Sequence, residues 1–248
     1  MAEEFKWPEG IRAALTLTFD DARPSQLDSG IPILNEYDTK GTFYVSFSNM
    51  DQRLDEWRQA LAGGHEIGNH TVNHPCSGNF SFAHSRALEN YTLHQMEEEL
   101  TGANQHIEET LGVTPKTFAY PCGQKFIGRG ESVQSYVPLI AEHFLLGRGF
   151  KNECHQDPIH GDLAQAMGVD FDRMTVQEFH TRIETALNDS GWLILAGHNV
   201  SSDNGQTVLE ETLHAICEYA NDPANGVWLD TAAAIGEYVV ARQESDLG

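Results

Sequence analysis

Short runs of β character alternate along this chain with longer stretches of helical period. The β-like runs are AALTLTF (13–19), GTFYVSF (41–47), HEIGNHT (65–71), KTFAYP (116–121), FLLGRGF (144–150), WLILAGH (192–198) and VWLDT (227–231). Helical patterns lie between and after them, over 25–38, 54–64, 87–112, 132–144, 175–191, 207–222 and 232–243. In the longest, Leu93, Met96, Leu100, Ala103 and Ile107 fall on one apolar face. This order is that of parallel strands joined by crossover helices. Seven such units in 248 residues suit a closed α/β barrel, which typically takes roughly 250 residues, better than the alternative, a doubly wound open sheet. With no repeat, low-complexity segment or Pro/Gly-rich linker, residues 1–248 read as a single domain.

Charge narrows the set of partners. Fifteen Lys and Arg against 37 Asp and Glu leave a net charge of -22, which repels phosphate backbones and anionic membranes. Neither nucleic acid nor membrane is expected as a partner. No run approaches the roughly 18 apolar residues of a membrane span, and the start MAEEFKWPEG lacks a basic segment followed by an apolar one, so the expected location is cytoplasmic. Cys76, Cys122, Cys154 and Cys217 are widely spaced without a C-x-x-C pair and are expected to be free thiols.

Functional side chains of parallel α/β folds gather at the C-terminal ends of strands. Asp20 and Asp21 end the first strand, His70 and His74 follow the third, Cys122 the fourth, Arg148 nearly ends the fifth, and His198 ends the sixth. Two histidines four residues apart with a carboxylate nearby form a donor set for zinc or a similar divalent ion. Phe80, Phe82 and Tyr91 on one rim loop, with Phe126 and Tyr136 opposite, could present aromatic faces to a sugar. His155 and His160 lie in a loop expected to overhang the site.

TFDD, HTVNH and LILAGH, in that order, with GTFYVS, GHEIGNHT, FAYPCG and VWLDT, closely resemble the polysaccharide deacetylases of the NodB-homology family of carbohydrate esterases. The resemblance covers nearly the whole chain and implies a distorted (β/α)7 TIM-like barrel. It implies a metal triad of Asp21, His70 and His74, with Asp20 as general base and His198 as general acid. It places Tyr120, Pro121 and Cys122 on the oxyanion and substrate side, the Cys122 N–H being the donor. The implied cofactor is a divalent metal, zinc first, with cobalt, nickel, manganese or iron as alternatives. The implied reaction is deacetylation of an N-acetylated, or O-acetylated, carbohydrate.

Two departures stand out. Ala119 replaces the family arginine that orients the base, and Arg148 is the expected substitute. The family motif carrying the acid's supporting aspartate has no clear copy; Asp162 ranks first, before Asp170 and Asp172. Thr71, between the histidines, is a further supporting candidate. Two other readings keep the same site: hydrolysis of a small amide or ureide, and a carbohydrate-binding barrel impaired by the missing arginine.

Overall fold

The computed structural model describes residues 4–202 and 205–246. Eight parallel strands form one curled sheet: β1 (Ala13–Asp20), β2 (Thr42–Val45), β3 (Glu66–Asn69), β4 (Thr117–Ala119), β5 (Leu146–Arg148), β6 (Val169–Asp170), β7 (Trp192–Gly197) and β8 (Val227–Leu229). Their order is β5-β4-β3-β2-β1-β7-β6, and β8 pairs with β1. β1 is shared along one edge: Ala13–Leu15 pair with β8, Thr18–Asp20 with β2. A bridge between Arg148 and Ala166, with Gly149 N–H donating to the Ala166 carbonyl at 2.7 Å, brings β5 against the segment entering β6. The sheet thus curls into a (β/α)7-type barrel.

Seven strands lie where the apolar runs place them, with ends trimmed by turns. The eighth, Val169–Asp170, has two residues, too few for any periodicity to register. Along β1, Leu15, Leu17 and Phe19 pack outward into the larger core cluster with Trp57, Phe179 and Ile183, while Thr16, Thr18 and Asp20 take the other face. Burying each large apolar side chain of this kind contributes about 1.5–3 kcal/mol. Ala14, Leu146, Trp192 and Ile194 form a second cluster with Ile235 and Val239 of the last helix, Ala232–Asp246.

The long helix begins later than its pattern suggests, running Leu93–Leu111. Thr92 accepts from Gln95 N–H and the Gln95 side chain accepts from Thr92 N–H, a reciprocal cap that fixes the start. Gly112, at φ 75°, ends it in the left-handed conformation. Within the segment 132–144 only Val137–His143 is helical; Gln134–Ser135 instead pairs with Phe126–Ile127 in a small ribbon. Likewise Thr207–Leu209 pairs with Asn199–Ser201 before the helix Glu210–Asn221.

Candidate active site

Asp20 and Asp21 are consecutive but serve different neighbours. Asp20 is buried at the end of β1 and forms an ion pair with the fully buried Arg148. Alternation along a strand does not itself send Asp21 elsewhere; a backbone turn does. Asp21 has φ 74° and Ala22 φ 50°, a left-handed excursion that side chains other than glycine disfavour. Three bonds hold it: Asp21 N–H donates to the Tyr44 carbonyl (2.9 Å), and the Asp21 carbonyl accepts from Ser46 Oγ (2.8 Å) and Asn49 Nδ2 (2.9 Å).

That turn faces Asp21 toward the loop after β3. Its Oδ1 lies 3.8 Å from His70 Nε2 and 3.7 Å from His74 Nε2, and the three donor atoms all lie within 4.8 Å of one another. His70 Nδ1–H donates to the Ala119 carbonyl at 2.9 Å, which leaves the Nε2 lone pair free for a ligand role. Two imidazole nitrogens and a carboxylate oxygen at this spacing fit a divalent ion with only small closure, since ligand atoms on one tetrahedral ion sit roughly 3.4 Å apart. Arg23 binds the remaining oxygen, Asp21 Oδ2, at 2.9 Å.

The loop itself is held by Thr71 and Asn69. Thr71 (φ 65°) and His74 (φ 50°) are both left-handed. Thr71 N–H donates to Asn69 Oδ1 (2.8 Å) and His74 N–H to Thr71 Oγ1 (3.0 Å).

Across the barrel mouth, His198 Nδ1 donates to Asp172 Oδ2 at 2.7 Å, and His198 N–H to Asp172 Oδ1 at 3.1 Å. The ring also packs edge-on against Phe150, centroids 5.4 Å apart. Gln26, fully buried, ties this histidine to the aspartates: its Nε2 donates to the Asp20 carbonyl (2.6 Å) and the His198 carbonyl (2.8 Å). Gln26→Leu strips both carbonyls of that donor. It is expected to cost about 1–3 kcal/mol, read by urea unfolding, and to lower turnover by roughly tenfold through misplacement of the two strand ends.

Electrostatics set the two groups apart. Burial pushes the Asp20 carboxyl up, but Arg148, with His70 and His198, outweighs it and holds the pKa below the ordinary value. Burial pushes His198 down, but the Asp172 bond and the charges of Asp20 and Asp172 leave it raised. Asp21 is lowered to about 2: burial opposes ionisation, and His70, His74 and Arg23 more than offset it. Burial, aided by His70, drops His74 to about 4, keeping its lone pair available.

Residues 9–130 match the family model for polysaccharide deacetylase. The chain belongs to the polysaccharide deacetylase family. That family is generally dependent on a divalent metal. This family member is 33% identical over 97 residues to the uncharacterized protein YlxY of Bacillus subtilis, covering 39% of this chain and 27% of that one. It is 33% identical over 107 residues to chitin deacetylase 1 of Cryptococcus neoformans, covering 43% and 20%. A solved structure from Mycobacterium smegmatis is similar over 98% of this chain and 95% of its own, with TM-score 0.68 at 17% identity; identity that low speaks for the fold alone. The chain thus spans well under half of the curated relatives it matches.

Several expectations drawn from the family pattern need correction in this deacetylase-family chain. Asp162 does not reach His198: it accepts from Ala164 N–H at 2.9 Å and caps the turn Leu163–Gln165. Asp172 holds the histidine instead. It arrives on the loop after β6, and Asp170 Oδ1 accepts its N–H at 3.1 Å. The Tyr120 side chain is buried, donating its hydroxyl to the Ala164 carbonyl at 2.6 Å, and Pro121 is buried beside it; neither side chain is placed to touch substrate. Tyr136 is likewise core. Cys122, at φ 54° in the turn Pro121–Gly123, is not a free thiol, because it forms a disulfide with Cys76. His155 sits against Gly191 and Asp189 near the start of β7, away from the strand ends that carry the site.

Gln26, Arg23 and the Cys76–Cys122 pair have no sequence signal of their own. Each is defined by what another strand end brings to it.

Proposed function

We propose that this chain is a divalent-metal-dependent hydrolase that removes the acetyl group from N-acetylated carbohydrate. One observation carries the reading. Asp20 and His198 flank the Asp21–His70–His74 donor set, and their buried partners, Arg148 and Asp172, bias them oppositely, one toward the carboxylate and the other toward the imidazolium. Amide hydrolysis needs that pair of states: a base to accept a proton from attacking water, and an acid to protonate the departing amine.

Asp21, His70 and His74 would hold the metal, which supplies Lewis acidity at the acetyl carbonyl and lowers the pKa of water. Asp20 accepts the proton released from water, and Arg148 keeps it ionised while it waits. His198 delivers its proton to the amine nitrogen, and Asp172 orients the ring from Nδ1 so that Nε2 does the delivery. The Cys122 backbone N–H is the candidate donor to the oxyanion.

Exposed aromatics support a sugar ligand. Phe80 and Phe82 are 42% and 52% exposed, with stacked rings 5.4 Å apart, and Phe82 lies 6.3 Å from His74. Phe126, 59% exposed, lines a cavity of about 430 Å³ with Ser77, Gly123, Gln124 and Lys125. No helix of the described residues is long and apolar enough to cross a membrane.

The test is acetate release from N-acetylated hexosamine oligomers of increasing length and from an O-acetyl ester. Release from the N-acetyl sugars should stop on chelation and resume when zinc or cobalt is returned. No acetate from any of them with metal bound, or release indifferent to chelation, would overturn the reading.

A further inference from the structure

Neither the proton chemistry nor the Asp21–His70–His74 set uses the sulfurs of Cys76 and Cys122. Their disulfide joins the loop after β3 to the turn after β4, across 46 residues of sequence. Yet both sulfurs lie against a residue of that set. His74 presents Nε2 to Asp21 at 3.7 Å and, from the opposite edge of the ring, Nδ1 to Cys76 Sγ at 3.6 Å. The ligand atoms of His74, Cys76 and Cys122 all lie within 4.8 Å of one another.

We propose that Cys76 and Cys122, once reduced, form with His74 Nδ1 a second, sulfur-rich site for a thiophilic divalent ion such as Zn²⁺ or Cd²⁺, which competes with the Asp21–His70–His74 set for His74. The disulfide keeps this site closed.

The spacing fits. With Zn–S bonds of about 2.3 Å and Zn–N bonds of about 2.0 Å, a sulfur and a nitrogen on one tetrahedral ion lie roughly 3.5 Å apart, close to the 3.6 Å between Cys76 Sγ and His74 Nδ1. Two sulfurs on one zinc sit roughly 3.7 Å apart, a separation the pair reaches once the S–S bond opens. Thiolates are strong ligands for zinc and cadmium, whereas carboxylate and imidazole accept a wider range of divalent ions. A neutral imidazole carries one lone pair and one N–H. His74 therefore serves one ion at a time, through Nε2 for the first site or Nδ1 for the second.

Opening the site is a two-electron step. A dithiol reductant gives two electrons and two protons to the sulfurs, the Cys76–Cys122 bond breaks, and the reductant closes into its own disulfide. Metal binding then displaces one proton from each thiol. The compartment decides which form persists, since cytosolic thiols are kept reduced and oxidising environments keep disulfides.

The experiment uses the full chain with Cys154→Ser, because Cys154 is an exposed free thiol. Metal-free protein is prepared oxidised, and also reduced with dithiothreitol that is then removed anaerobically; each form is titrated with Co²⁺. The reduced form should release two countable thiols, remain folded by circular dichroism, and show intense thiolate-to-cobalt charge transfer. The oxidised form and the Cys76→Ser/Cys122→Ser variant should bind Co²⁺ without that band. Two freed thiols with no charge transfer would overturn the proposal. So would a disulfide that the folded protein does not release, or a reduction that unfolds the chain. The readout is spectroscopic, so it stands apart from whether acetate is released.

Discussion

Replacing Arg148 by methionine is expected to destabilise the protein by about 3–5 kcal/mol and to move the acid limb of its kcat/KM profile to higher pH. The side chain is fully buried, donates to the Gly149 carbonyl at 2.9 Å, pairs with Asp20 and lies 5.1 Å from the centre of the Tyr44 ring. Methionine fills much of the volume but leaves Asp20 as a buried carboxylate without its counter-charge, the situation that makes breaking a buried pair costly. Asp20→Asn should cost less stability in the Arg148→Met background than alone, because the pair is then removed from both sides. Activity should not follow: Asp20→Asn removes the base whether or not Arg148 is present, so the single and the double variant should both stay at least roughly 10²-fold down.

The pH dependence reverses sign between the two proteins. In the wild type the Asp20 pKa lies below its ordinary 3.8, so its contribution to stability is present above that value and lost as pH falls through the folded-state pKa. In Arg148→Met, burial dominates and the carboxyl rises above its ordinary value. Its ionisation then opposes folding, and part of the lost stability returns as pH falls through the raised pKa. Urea unfolding across the acid range reads this directly. A variant within about 1 kcal/mol of wild type, with an unmoved acid limb, would show that the pair is not what holds Asp20 ionised.

What the chain reveals before folding depends on how far each contact reaches in sequence. Seven strands are legible because several consecutive apolar residues announce each one, and the rim residues Asp20, Asp21, His70, His74 and His198 are legible because each sits at the end of such a run. The two-residue strand Val169–Asp170 carries no pattern, and Asp172 depends on it. Asp162 is the more attractive choice in the sequence because it precedes a turn it does cap, so a local role imitates a distant one. Arg148 is different. It lies 128 residues from Asp20, yet a buried guanidinium at a strand end is conspicuous once Ala119 leaves the base without its expected partner. The Cys76–Cys122 link escapes the sequence for the opposite reason: cysteine spacing predicts pairing only within a local framework, and this pair is made by adjacency of two strand ends.

Asp172→Asn should lower kcat/KM at neutral pH by about 10²–10³, with the basic limb of the profile moving to lower pH. Asparagine can keep one hydrogen bond to His198 but not the negative charge. Without that charge, burial is left to push the imidazole down, and fewer molecules hold the proton the departing amine requires. Stability changes in the same direction. In the wild type the raised His198 pKa contributes stability that is fully present below the ordinary 6.5 and is lost as pH rises through the folded-state pKa; in the variant that acid-side gain disappears, so the two proteins converge above neutrality. Asp162→Asn separates this from general damage near the loop. It touches only the cap on Leu163–Gln165, should cost about 1 kcal/mol or less, and should leave the basic limb in place. Equal profiles for the two variants would mean that Asp172 acts by holding its loop rather than by holding the proton on His198.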